Sequence, residues 1–328
     1  MRYRRLGKSN LMVSEIGFGT WTLALDWWGK RFDDQEAIRM LKKAFDLGIN
    51  LYQTADVYGK GKVDKLIGEA FKGINDEIII SSMFGYDIYN NKQVGHDELP
   101  QRFDEEYIRY ALSEILKRIN RDKLELYVLH NPKMEHILND ELFMVLERLR
   151  EECKITHYGV GLGPAIGWKE EGIIAMENRG ISTLITVYNL LEQQPGRALI
   201  DVAKVNDVGI LVRVPDASGV LTGKINANTV FSENDHRKFR TREWIIESLK
   251  KIENIKHVAD TRGWSIKELS MKFILSDPTV SSILPTITSI EELEDYVSIS
   301  DGKYLNNEEY NYLKEMYDKN FMLESIKV

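Results

Sequence analysis

Short apolar runs alternate with helix-period segments along nearly the whole chain. Candidate strands lie at 15–18, 50–52, 78–82, 124–129, 157–160, 184–187, 209–214 and 281–284. Between them, apolar residues recur three and four apart, as one buried helix face requires. Ile38, Leu41, Ala44, Phe45 and Leu47 form one such face; Tyr107, Ile108, Ala111, Leu112, Ile115 and Leu116 form another; Leu142, Met144, Val145, Leu146 and Leu149 form a third. Eight strands alternating with helices predict a (β/α)8 TIM barrel of the α/β class. No linker or low-complexity stretch interrupts 1–328, so a single domain is expected. The polar stretch 222–242 reads as a long loop after the seventh strand. Tyr310, Leu313, Met316 and Tyr317 predict a final helix followed by a tail.

Composition narrows the partners. At 328 residues, 43% of them hydrophobic, the chain can fill the interior of one barrel. The net charge of −7 and the lack of any dense Lys/Arg run argue against nucleic-acid binding. No apolar run reaches membrane-spanning length, and 1–7 lacks the apolar core of a signal peptide, so a cytoplasmic protein is expected. Cys153 is the one cysteine; it can form no internal disulfide, and between Glu152 and Lys154 it reads as an inert thiol. His96, His136, His157, His236 and His257 show no ligand spacing, so no metal is expected. There is neither a nucleophilic-serine elbow nor a glycine-rich dinucleotide loop. A small-molecule substrate is the remaining partner; the sequence sets no oligomeric state.

Three segments carry the chemistry. The first is Gly48-Ile49-Asn50-Leu51-Tyr52-Gln53-Thr54-Ala55-Asp56-Val57-Tyr58-Gly59. The second is Ile80-Ser81-Ser82-Met83-Phe84-Gly85, and the third is Leu126-Tyr127-Val128-Leu129-His130-Asn131-Pro132. In this order they resemble the active-site motifs of the aldo-keto reductases, and the resemblance runs from Gly17-Phe18-Gly19-Thr20-Trp21 to Ile283-Leu284-Pro285. It implies that residues 4–14 form the small hairpin capping the barrel bottom. It also implies a catalytic tetrad of Asp, Tyr, Lys and His, which falls here on Gln53, Tyr58, Met83 and His130. Tyrosine and histidine are kept; the buried ion pair is replaced by two uncharged side chains. Losing both partners avoids the cost of about 3–5 kcal/mol that one orphaned buried charge would bring. Tyr58 and His130 map to the C-terminal ends of strands, where barrel active sites lie. Tyr58 can donate a proton to a carbonyl, and His130 can bind a hydroxyl or carry a proton near neutrality. Either residue alone could instead be packing.

The family's NADP(H) contacts are the least retained. Gly159-Val160-Gly161-Leu162 stands where the family has Gly-Val-Ser-Asn, and Ile185 stands for its glutamine. Arg213 occupies the place of the aromatic ring that stacks on nicotinamide. Leu284-Pro285-Thr286-Ile287-Thr288-Ser289-Ile290-Glu291-Glu292 replaces the 2′-phosphate site without one Lys or Arg, and Asp295-Tyr296 replaces its adenine clamp. Thr286, Thr288 and Ser289 retain hydroxyls that a phosphate could use, yet no bound cofactor is the expectation. In exchange, Arg213-Val214-Pro215-Asp216 brings two charges to a strand end that faces the pocket. A surface ion pair is the alternative for these two. Arg213 and Asp216, together with Trp21, Gln53, Met83 and Asn189, are the expected substrate contacts; Trp27, Trp28 and Tyr86 should rim the same mouth. The reading with most support is a redox-neutral enzyme, a lyase, dehydratase or isomerase type acting on a small hydroxy-carbonyl or sugar-derived acidic substrate. The alternative is a divergent NAD(P)H-dependent carbonyl oxidoreductase, and the third is a non-catalytic binding or regulatory subunit.

Overall fold

The computed structural model describes residues 1–74, 77–92, 97–163 and 168–323. His96 falls outside them. Eight strands form one parallel sheet: β3 (Phe18–Gly19), β4 (Leu51–Ala55), β5 (Ile79–Phe84), β6 (Leu124–His130), β7 (Ile155–Gly161), β8 (Thr183–Val187), β9 (Gly209–Arg213) and β10 (Val280–Leu284). Each pairs with its neighbours in sequence order, so the sheet curls into a barrel. Its seam is a parallel bridge between Ile16 and Ile283, held by Gly17 N donating to the Ile283 carbonyl (2.8 Å) and Ile283 N to the Glu15 carbonyl (2.9 Å). Preceding the barrel, β1 (Tyr3–Arg5) and β2 (Met12–Ser14) form an antiparallel hairpin.

Helices α1 (Asp34–Asp46), α2 (Lys62–Ala70), α3 (Glu105–Ile119), α4 (Met134–Ile137), α5 (Asp140–Glu151), α6 (Lys169–Asn178), α7 (Gly196–Asn206), α8 (Arg242–Arg262), α9 (Ile266–Leu275), α10 (Ile290–Ser298) and α11 (Asn307–Asp318) surround it. Sequence sets many of their starts: Asp33, Asp104, Asn139, Thr241, Ser265, Ser289 and Asn306 each accept a first-turn N–H with their side chains. The three apolar faces read from sequence point inward, except that Met144 is exposed and Phe45 and Leu47 are only partly buried.

Two cores result. The larger lies between barrel and helices. The smaller fills the barrel itself, where Leu51, Ala55, Met83, Leu126, Val128, Ile185, Leu211 and Leu284 alternate inward along their strands. Leu6 and Val13 of the hairpin segment plug its lower end, both fully buried. The barrel is therefore closed below by apolar packing and open above. Most strand boundaries move by one or two residues; the largest changes are at the first strand, which is shorter than 15–18, and at the second, which runs on to Ala55 because its continuation pairs with β5 through Met83. A short 3-10 turn at Val220–Thr222 leads into the 222–242 loop, which contains a second at His236–Phe239 and ends where α8 begins. Cys153 is exposed with φ of +57°, a backbone position that favours glycine.

Candidate active site

Above the apolar filling, the strand ends bring four side chains together. β4 supplies Gln53, and the turn after it supplies Tyr58, fixed by Tyr58 N donating to the Ala55 carbonyl (3.0 Å). β6 ends on His130, and β9 ends on Arg213. The Tyr58 and His130 rings meet edge-on, with centroids 6.2 Å apart. On its other side His130 meets Tyr86, 4.9 Å away and also edge-on. The Gln53 amide lies beside Tyr58 and donates from Nε2 to its neighbour's carbonyl, that of Thr54 (2.7 Å).

Electrostatics gives these groups distinct roles. Burial raises the Tyr58 pKa above its ordinary value, while Arg213 and the Gln53 hydrogen bond pull it back down. Burial, and secondarily the Arg213 charge, depresses His130 to about 3. The imidazole is thus neutral across the physiological range, a state suited to hydrogen bonding rather than to the proton carrying expected from sequence. Burial also lowers the Arg213 pKa, with Tyr58 and Tyr86 as its nearest electrostatic partners. Arg213 makes no ion pair among the described residues. A half-buried guanidinium facing two phenols and a neutral imidazole has the chemistry to pair with an anion.

A second layer, unnoticed in the sequence, holds His130 in place. Gln101 donates from Nε2 to the carbonyls of His130 (2.8 Å) and Asn131 (3.0 Å). Asn131 N donates to the Gly161 carbonyl (2.8 Å), and its Nδ2 to the Tyr86 hydroxyl (2.9 Å), which in turn donates to Glu98 (2.9 Å). Gln101 Oε1, His130 Nδ1 and Asn131 Oδ1 are buried without a hydrogen-bond partner. Three such atoms in neighbouring segments leave this corner ready to bind polar groups. Adjacency to His130 was the signal available for Asn131; nothing in the sequence pointed to Gln101.

The other expected contacts divide. Met83 is 1% exposed, part of the apolar filling beneath Tyr58, and its Sδ would lie 2.9 Å from a Cβ placed on Gly161. Asn189 is fully buried and saturated: Nδ2 donates to Glu192 (2.9 Å) and to the Val214 carbonyl (3.0 Å), while Oδ1 accepts from the N–H groups of Leu191 and Glu192. It braces the loop and has no group left for a ligand. Trp21 stands partly exposed, edge-on to Trp28 with centroids 5.5 Å apart. Arg213 and Asp216 do not pair. Val214 has φ of +55°, which turns the chain so that Asp216 faces a different cavity.

That cavity, about 230 Å³, lies between the loop after β9 and the start of α10. Trp28, Asp216, Thr222, Lys224, Phe231, Asp235, Arg237, Thr286, Glu292 and Tyr296 help to line it. Its cations are already engaged: Lys224 with Glu292 (2.8 Å) and Arg237 with Asp235 (2.6 Å). Thr288 donates both its N–H (2.9 Å) and its hydroxyl (2.7 Å) to Glu292, and Ser289 caps α10. The Glu292 carboxylate thus occupies the donors that a phosphate would need. Burial raises Asp216 to about 6. Among the described residues, no group of three or more potential ligands could hold a metal, and no helix is long and apolar enough to cross a membrane.

Comparison with known proteins agrees with this geometry. Residues 15–318 match the model of the aldo/keto reductase family. The chain is 28% identical to aldo-keto reductase YhdN of Bacillus subtilis, over 94% of this chain and 91% of the relative. It is 27% identical to L-glyceraldehyde 3-phosphate reductase of Escherichia coli, over 90% of this chain and 87% of the relative. Its fold resembles that of the glycerol dehydrogenase AKR11B4 from Gluconobacter oxydans, with a TM-score of 0.83 and 21% identity over 99% and 98% of the two chains. The match to the family model spans nearly all of the barrel, the N-terminal hairpin apart, and the chain belongs to the aldo/keto reductase family.

Proposed function

We propose that this protein is an oxidoreductase interconverting a small anionic carbonyl compound and its alcohol. The observation that carries the reading is Arg213, a cation in the active-site mouth that lowers the Tyr58 pKa and has no carboxylate of its own. In the family pattern a lysine at position 83 would hold positive charge near the tyrosine. Here the charge comes from β9, on the far side of the barrel, and Met83 serves as filling. Relatives named as reductases, one of them for a phosphorylated aldehyde, support both the redox reading and the anionic substrate. The redox-neutral reading gains nothing from these relatives.

The residues fit a nicotinamide dinucleotide lacking the 2′-phosphate. Asp216, Thr286, Glu292 and Tyr296 offer acceptors and hydroxyls suited to a ribose, with Trp28 beside them for an aromatic base. A 2′-phosphate does not fit, because Glu292 already holds the donors of Thr288 and Lys224. The dinucleotide, when bound, supplies or accepts the hydride. This chain's residues do the rest. Arg213 binds the substrate's carboxylate or phosphate. Tyr58 gives its hydroxyl proton to the carbonyl oxygen in reduction and takes one back in oxidation. His130, neutral and held by Gln101 and Asn131, accepts or donates a hydrogen bond at the same oxygen or at a neighbouring hydroxyl.

The test is a titration of the protein with NADH and NADPH, followed by tryptophan fluorescence, with turnover measured on phosphorylated and acidic aldehydes. Saturable NADH binding tighter than NADPH is expected. Tyr58→Phe should lower turnover by about 10²–10⁴-fold while leaving the thermal transition in place. Absence of NADH binding at millimolar concentration, or turnover unaffected by Tyr58→Phe, would overturn the proposal.

A further inference from the structure

On the outer side of the turn that carries Tyr58 lies an open cavity of about 550 Å³, between the start of α2 and the last turns of α3. It is lined by Lys60, Lys65, Lys117 and Arg118, with Ile88, Tyr89 and Glu114. Four cations face one carboxylate, in a chain whose net charge is −7.

The arrangement is fixed from below. Arg118 Nε donates to Asp64 Oδ2 (3.0 Å), and both its terminal nitrogens reach the Tyr89 hydroxyl (3.2 and 3.3 Å). Asp64 is fully buried and also accepts from Thr54 (3.3 Å). Arg118 lies so close to Gly61 that a Cβ there would stand 2.3 Å from its Nε. Gly61 also has φ of +77°, so glycine is required on two counts. Asp56, buried nearby with both carboxyl oxygens unpaired, is pushed well above the ordinary carboxylate range by burial and by Asp64.

The lysines remain available. Lys60 Nζ donates to a backbone carbonyl, that of Asn91 (2.9 Å), and Lys65 has no carboxylate partner among the described residues. Lys117 stands 3.8 Å from Glu114, a loose contact on the surface.

We propose that this cavity is a second anion site, built for the polyphosphate group of a small phosphorylated metabolite. Three ammonium groups on flexible stems, around an arginine locked in place, match several phosphate oxygens better than one. The aromatic face of Tyr89 and the side chain of Ile88 flank the charges and suit an attached apolar or aromatic moiety. Occupancy has a route to the active site. Lys60 N donates to the Val57 carbonyl (3.3 Å) and Lys62 N to the Gly59 carbonyl (3.2 Å), so Lys60 and Tyr58 belong to one continuous run of tight turns. A ligand that draws Lys60 outward acts on the backbone that aims Tyr58.

The experiment is calorimetric titration of the full chain with inorganic tripolyphosphate and, separately, with orthophosphate. Three proteins are compared: the wild type, the triple variant Lys60→Ala/Lys65→Ala/Lys117→Ala, and Arg213→Ala. The three lysines are exposed, so the triple variant should fold, which its thermal transition checks. Expected are tripolyphosphate binding tighter than orthophosphate, at least about tenfold weakening in the triple variant, and retention in Arg213→Ala. Binding lost in Arg213→Ala but kept in the triple variant would overturn the proposal by placing the anion in the barrel mouth. No tripolyphosphate binding by the wild type would overturn it outright. Because Arg213→Ala reports on the mouth separately, failure of this site and failure of the oxidoreductase reading remain distinguishable.

Discussion

Two regions at the upper end of the barrel treat charge in opposite ways. In the mouth formed by β4, β6 and β9, one cation stands without a carboxylate among neutral hydrogen-bonding groups. In the cavity beside α10, Lys224 and Arg237 are each matched by an acid, and Asp216 adds a further carboxyl. The first leaves a cation for the anionic substrate proposed above; the second has matched its cations internally, which leaves no free donor for an added 2′-phosphate. The difference teaches that substituting a site's charged residues does not by itself empty the site of function. What matters is whether the protein supplies the missing partner internally. Beside α10 it does so with Glu292; around Arg213 it does not.

The sharpest way to break this contrast is to return a lysine to the mouth. Met83→Lys puts an ammonium into an apolar layer where Gln53 offers no charge. It should destabilise the fold by about 3–5 kcal/mol in denaturant melts. Adding Gln53→Asp should recover more than half of that loss. A single variant as stable as the wild type would show that Met83 is not confined to the apolar layer. Next in size, Arg213→Met should lower kcat/KM on an anionic aldehyde by about 10²–10³-fold while sparing an uncharged one. The alkaline limb of the pH profile should also move upward, because Tyr58 loses the charge that lowers its pKa. Equal losses on charged and uncharged substrates would remove Arg213 as the anion anchor.

The smallest effect tests the acidic cavity. Asp216 ionises near 6 in the folded protein, above its ordinary value, so the folded state holds the proton longer than the unfolded chain does. Stability contributed by the protonated group is present at low pH and lost as pH rises from about 4 to about 6. Asp216→Asn should flatten that slope and gain about 2 kcal/mol at pH 7, read from denaturant midpoints across pH. An unchanged slope would mean that Asp216 does not carry the strain.

Much of the fold was legible because alternation and helical spacing are properties of the chain itself. All eight barrel strands, His130 at a strand end and Tyr58 in the turn just after one follow from that pattern together with the family motifs. The site was less legible, and the reasons are physical. His130 looks like a proton carrier until its burial and the charge of Arg213 are known. Arg213 and Asp216, three residues apart, look like a pair, but the positive φ at Val214 sends them to separate cavities. Asn189 resembles a ligand contact, whereas its amide is saturated by Glu192 and nearby backbone groups. Thr288 resembles a phosphate donor until Glu292, four residues on, is seen to fold back onto it. In each case the deciding partner comes from a turn or a tertiary contact that no periodicity encodes.

The seam between Ile16 and Ile283 has a consequence for how the molecule comes into being. Arg4 reinforces the seam from outside, donating to the carbonyls of Leu275 (2.6 Å), Asp277 (3.0 Å) and Val280 (2.9 Å). Both contacts join the beginning of the chain to a segment more than 260 residues later. During synthesis the first strand must wait, its edge unpaired, until nearly everything else has emerged. Closing so large a loop carries an entropy that only the finished barrel repays. The ring cannot close before β10 has emerged, and until then its open edge is available for pairing with a stranger.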